Sequence, residues 1–181
     1  MADLISISIT SDPLQNALAR LWRALEPPGL RIALVQIGER LAESTRQRFI
    51  TGTAPDGSRW TPNAEATYLR YLDAPDRGKN TRKDDRLNAR GARQAANKRP
   101  LIDTGNLMES IGWQIVGDGL YIGTNWGDFD EGAAVHQFGS TRAGRGHNTV
   151  IPARPFLGLS AADETTVLDI IERHVQNAAG G

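Results

Sequence analysis

Cysteine is absent from this chain of 181 residues. Without thiols there is neither a disulfide framework nor a thiolate metal centre. No apolar run approaches the roughly 18–20 residues that cross a bilayer. The N-terminus, MADLISISIT, lacks the basic start and long apolar stretch of a secretory signal. The expectation is a soluble, intracellular protein with no membrane contact. Catalytic signatures are missing too. There is no Gly-x-Ser-x-Gly elbow, no HExxH and no GxxxxGK[ST] phosphate loop. Ser140 lies near His136, but no neighbouring acid or oxyanion arrangement completes a nucleophilic set.

His136 and His147 stand eleven residues apart, shortly after Asp128, Asp130 and Glu131. Imidazoles and carboxylates are suitable donors for a divalent ion. Their spacing, however, matches neither a helical histidine pair nor a calcium loop. The expectation is no catalytic residue, no cofactor and no metal, with the histidines packed or solvated.

Net charge is zero, 21 Lys and Arg against 21 Asp and Glu, yet the signs are segregated. Residues 1–69 hold seven Arg against seven acids. Residues 70–99 hold ten cations against four Asp, and residues 100–181 hold four Arg against ten acids. Such separation suits a basic arm for polyanions or complementary faces that meet between subunits. A basic arm on DNA would bind without sequence preference and weaken with salt. Against that role, the stretch 77–99 has no aromatics for base stacking, and Asp84 and Asp85 interrupt it.

Local patterns outline the elements. Leu4–Thr10 alternates Ile5, Ile7 and Ile9 with Ser and Thr, which predicts a strand. Asp12 and Pro13 open a helix whose apolar positions recur at three and four, and Pro27-Pro28-Gly29 is expected to stop it. A second helix is predicted from about Leu30 to Phe49. Thr51–Pro62 is a turn segment that carries Trp60 as an anchor, followed by a short helix at Ala64–Leu72. Residues 77–98 have no apolar stripe, Leu87 being their one large apolar residue, and are expected to be exposed, mobile, or ordered only by a partner.

A short helix at Leu107–Ser110 precedes a hairpin of Ile111–Val116 and Leu120–Thr124 about Gly117-Asp118-Gly119. Glu131–Phe138 reads as two helical turns ended by Gly139, Thr149–Ile151 as a short strand, and Ala161–Asn177 as a final helix capped by Ser160. Strands and helices mixed without βαβ alternation predict an α+β fold, an antiparallel sheet with a hairpin, packed by helices. One domain over 1–181 is expected, with an exposed charged insertion at about 73–98 and a loop at about 139–149.

Several short stretches, in this order, carry a resemblance. They are Pro55-Asp56-Gly57 with Trp60, LIDTGNL from Leu101 with Ser110-Ile111, and YIGT from Tyr121. AAVHQFG from Ala133 and IPARPFLG from Ile151 follow. Across about Arg31 to Val175 the chain resembles the phage virion morphogenesis family. That family takes in tail completion proteins of the phage P2 and phage Mu type, and is related to neck and tail-completion proteins of long-tailed phages.

The resemblance implies a structural, non-enzymatic subunit at the head–tail junction of the virion, made in the host cytoplasm. It implies a ring of copies, of sixfold symmetry, that contacts connector or neck proteins, tail proteins and possible packaged DNA in passing. A ring requires two different, complementary surfaces on each subunit. The basic middle and acidic C-terminal third are candidates, with contact residues Arg82, Lys83, Arg86 and Arg90, Arg142 and Arg145 on the loop, and Arg154 between two prolines. Trp60, Trp113, His136, Phe138, Pro155 and Phe156 are the expected structural anchors. The alternative is a sequence-independent nucleic-acid-binding accessory protein that uses residues 77–99.

Overall fold

The computed structural model describes residues 11–73, 79–81, 86–117, 119–126, 132–143, 146 and 148–180. The strand expected at Leu4–Thr10 lies outside them. In chain order the elements are α1 (Asp12–Ala24), α2 (Pro27–Thr51), α3 (Glu65–Leu72), α4 (Ala89–Asn97) and α5 (Asn106–Glu109). Then come β1 (Gly112–Val116), β2 (Gly119–Gly123), α6 (Ala133–Phe138), β3 (Ser140–Ala143), β4 (Thr149–Ile151) and α7 (Ala161–Ala179). The fold is mixed α+β. Among the described residues it has seven helices and two separate two-stranded antiparallel sheets, β1–β2 and β3–β4.

The proline pair acts one step later than expected. Helix α1 ends at Ala24, and Pro27 and Pro28 form the first turn of α2 instead of stopping α1. The reason is local: proline is at home where a helix needs no N–H donor, and it forces the residue before it, Glu26, into extended backbone. Helix α2 stops at Gly52, whose φ of 69° is the left-handed conformation that a helix C-terminus favours.

Helix α2 is the spine of two apolar clusters. Its first half places Leu30, Ala33, Leu34 and Ile37 against Ala17 and Leu21 of α1 and Val167, Ile170 and Ile171 of α7. Its second half places Ala42 and Phe49 with Trp60, Leu107, Ile111, Ala133, Phe156 and Leu157. Each large side chain so buried contributes about 1.5–3 kcal/mol. The β1–β2 hairpin lies on α2. Trp113 pairs with Ile122 and Ile115 with Leu120 on the covered face, while Gln114, Val116 and Tyr121 face outward. Gly38 of α2 lets Trp113 approach: a Cβ there would meet the indole at 2.6 Å.

The described part of the charged insertion, 79–81 and 86–98, is more ordered than its composition predicts. Helix α4 has no apolar stripe, yet it packs closely on the backbone of Asn80, whose side chain donates to Leu72 O of α3 at 2.8 Å. Asn88 caps it by accepting from the Gly91 N–H at 2.9 Å, and the Asn88 N–H donates to the Asn80 carbonyl at 2.9 Å. A Cβ on Gly91 would lie 2.3 Å from that same carbonyl. The Lys98 ammonium sits 4.6 Å from the centre of the Tyr71 ring and donates to Ile102 O and Asp103 Oδ1. Arg90 and Arg93 remain exposed.

Candidate interaction surfaces

The stretch from Ala133 to Asp163 holds two adjoining regions of opposite character. Its second part, Pro152–Asp163, runs without regular structure until α7 begins, so its backbone groups need partners from elsewhere. Three side chains supply them, and a fourth, from within the segment, ties it to a neighbouring turn. Gln137 of α6 accepts from the N–H groups of Phe156 and Leu157, both at 2.9 Å, and donates to Leu157 O at 3.0 Å. Arg48 of α2 donates to Phe156 O at 2.7 Å and Gly158 O at 2.9 Å. The Trp60 indole donates to Pro155 O at 2.9 Å. Arg154 reaches back to Thr61 O and Pro62 O at 2.8 and 2.9 Å.

An ion pair closes this clamp. Arg48 Nη2 lies 2.5 Å from Asp163 Oδ2, with each side chain 7% exposed. Burial lowers the Arg48 pKa, and the neighbouring Asp163 charge opposes that shift only in part. Burial by itself would raise the Asp163 carboxyl. Hydrogen bonds from Ser44 and Ser160, together with the Arg48 charge, outweigh it and hold the group below the usual carboxylate range. Asp163 also accepts from the Ser160 N–H and hydroxyl while Ser160 caps α7, a reciprocal capping box.

The first part of the stretch opens to solvent. Helix α6 is seated by Ala133, Ala134, Val135 and Gln137, all buried. Phe138 does not seat it, contrary to the expectation: it is 60% exposed. The cause is rotation about a helix of only six residues, in which Gln137 takes the inward position because it can satisfy three backbone groups there. Within the segment expected as a loop at about 139–149, Ser140–Ala143 forms β3 and pairs with β4, Ser140 opposite Ile151 and Ala143 opposite Thr149. Arg142 and Val150 are exposed on the β3–β4 hairpin.

The remaining expected anchors divide clearly. Trp60 and Phe156 are buried and pack on Phe49, at ring-centre distances of 5.5 and 5.2 Å. Trp113 and Pro155 are half-buried. His136 stacks on Trp126 with centres 6.5 Å apart, and burial followed by the Arg154 charge pushes its pKa down. Arg154, expected on an interface, is 6% exposed and spends its guanidinium on its own chain's carbonyls. Arg86 and Arg90 are exposed beside or on α4. Arg82, Lys83, Arg145 and His147 lie outside the described residues, as do Asp128, Asp130 and Glu131. Among the described residues no three His, Asp or Glu gather as metal ligands, and no helix is long and apolar enough to cross a membrane.

Sequence reasoning missed Arg48, Gln137 and Asp163. Asp163 had a signal, because Ser160-Ala-Ala-Asp163 is a capping-box spacing. Arg48 had none: it sits among Arg40, Arg46 and other polar residues of α2, and its partners lie more than 100 residues away.

Trp60, the AAVHQFG stretch and the IPARPFLG stretch, three of the pieces that carried the resemblance, meet at the clamp. Residues 9–176 match the phage virion morphogenesis family. The chain belongs to this family. The match takes in α1 and the insertion as well as the clamp. Among its relatives, the Mu-like prophage FluMu G protein 2 of Haemophilus influenzae is 46% identical over 77 residues, 42% of this chain. That alignment spans 52% of the relative, about half its length. Tail completion protein S of Escherichia phage P2 is 24% identical over 164 residues, 90% of this chain and 95% of that protein. No solved structure matches the chain. Family membership makes this a structural morphogenesis protein rather than an enzyme.

Proposed function

We propose that this chain completes the phage tail at the head–tail junction, as one subunit of a ring that joins tail to head. The observation that carries this reading is the near full-length similarity to a tail completion protein, 90% of this chain against 95% of that one. The arrangement is compatible with a part that works by fit. A deeply buried clamp holds the framework, while two short hairpins and a basic helix face outward. The ring would be closed by unlike surfaces repeated head to tail, with charge steering their encounter. The subunit would sit in the virion, against connector or neck proteins on one side and tail proteins on the other.

Imaging particles of a phage that lacks this gene tests the proposal. Separate full heads and unjoined tails are expected; normally joined virions would refute it. Exposed Arg90 and Arg93 on α4 favour a second reading, contact with nucleic acid through the backbone. Binding of DNA by the isolated chain, falling steeply as salt rises, would support that alternative.

A further inference from the structure

After Trp60 the chain leaves the body of the fold, and it returns at Leu101. Trp60 is buried in the second apolar cluster, and Leu101 and Ile102 pack against that same cluster. No described residue from Thr61 to Pro100 belongs to either cluster. Within this excursion Leu72 is the one large apolar side chain buried among the described residues, while Leu69 and Leu87 are 51% and 37% exposed. Its cohesion is polar and local. Asn80 donates to Leu72 O, Asn88 Nδ2 donates to Lys79 O at 2.9 Å, and Thr81 bridges to Leu87. Local opening falls where apolar burial is least, and here it is far less than around α2.

The excursion is tied to the body at both ends. On the way out, Arg154 holds Thr61 O and Pro62 O. On the way back, the Lys98 ammonium donates to Ile102 O at 2.6 Å and Asp103 Oδ1 at 2.8 Å, with the Tyr71 ring centre 4.6 Å away. The Lys98 side chain is 7% exposed and that of Asp103 78%. One cation thus joins α3, the end of α4 and the returning strand. Around it lies an open cavity of about 490 Å³, lined by Tyr71, Ala96, Asn97, Arg99 and Ile102 among others, so the joint is loosely filled. Leu101, three residues on, has a φ of 61° and is the one non-glycine residue with positive φ among the described residues. A leucine is sterically penalised there, and such strain persists only where the surroundings hold it, typically at switch positions.

We propose that α3 and α4 open and close together as one unit, on hinges at Thr61–Pro62 and Pro100–Leu101, and that Lys98 is the bolt that keeps the unit closed. The exposed Arg90 and Arg93 ride on it, so opening moves the basic surface of α4 relative to the body. This inference does not depend on the junction reading.

The test is hydrogen exchange of the full-length chain, read peptide by peptide by mass spectrometry, with thermal melting alongside. In the parent, α3 and α4 are expected to exchange at least about tenfold faster than α2 and α7. K98M keeps the apolar stem and removes the charge. It should speed exchange in α3 and α4 by about tenfold more, the loss of hydrogen bonds from a charged donor, while α2, α7 and the melting temperature stay as they were. D103N should have a smaller effect, about two- to fivefold, because the Asp103 side chain is largely in water. Protection of α3 and α4 equal to that of α2 and α7 in the parent would overturn the separate opening. K98M that leaves α3 and α4 unchanged would overturn the bolt. So would K98M that loosens α2 and α7 equally or fails to fold, since Lys98 would then hold the whole structure.

Discussion

Gln137 and Phe138 are neighbours, and hydrophobicity alone assigns them backwards. The amide is 4% exposed and the phenyl ring 60%. The same inversion separates the two regions on either side of Gly139 and Ile151. The Pro152–Asp163 clamp buries polar atoms, each with a partner, and the β3–β4 hairpin exposes apolar ones. A buried amide that satisfies two N–H groups and a carbonyl is cheap, because those groups would otherwise be stranded. An exposed phenyl is costly only while nothing covers it. The clamp is therefore the region where substitutions should harm folding, and the hairpin the region where they should harm contact alone.

The largest expected effect is at the ion pair. D163N leaves the Arg48 cation buried without its counter-charge, and should cost about 3–5 kcal/mol in urea unfolding. Next comes Q137L, which fills similar space but abandons Phe156 N–H, Leu157 N–H and Leu157 O. It should cost about 2–3 kcal/mol, since each stranded group is worth about 1–3 and the segment can relax toward water. If Q137L were as stable as the parent, the contrast between clamp and hairpin would fail.

A smaller effect should come from His136. Burial, then the Arg154 charge, lowers its pKa in the folded chain, so between that lowered pKa and the unfolded value of about 6.5 the unfolded chain binds more protons. Stability should therefore fall as pH drops below about 6.5, until the folded histidine itself titrates. H136Q should flatten that slope when melting temperatures are followed from pH 7.5 to 5. Asp163 acts in another window: its depressed pKa adds stability above about pH 4, which is lost as pH falls through the folded value. The smallest effect on folding should be that of F138S, within about 0.5 kcal/mol of the parent by urea unfolding. A large loss there would mean that Phe138 belongs to the core after all.

Most helices were legible from local signals. Pro13, the heptad-like apolar spacing of α1, the Gly117-Asp118-Gly119 turn and Ser160 each act within a few residues of where they sit. The boundaries shifted where two signals competed, as at Pro27-Pro28, which could end one helix or begin the next. Helix α4 was illegible because its docking uses a glycine and asparagine side chains rather than an apolar stripe. The clamp was hardly legible at all, for Arg48 meets carbonyls and a carboxylate across 108 to 115 residues of chain.

Periodicity, turn chemistry and the order of short motifs were enough to set most of the elements, the α+β class and the family, since each depends on residues close together in sequence or on their succession. Which polar side chain would be drawn inward, and which aromatic left outside, was decided only when distant segments met. Burial is a property of a residue's final neighbours, and a backbone stretch without its own ladder takes its hydrogen bonds from whatever the fold brings alongside.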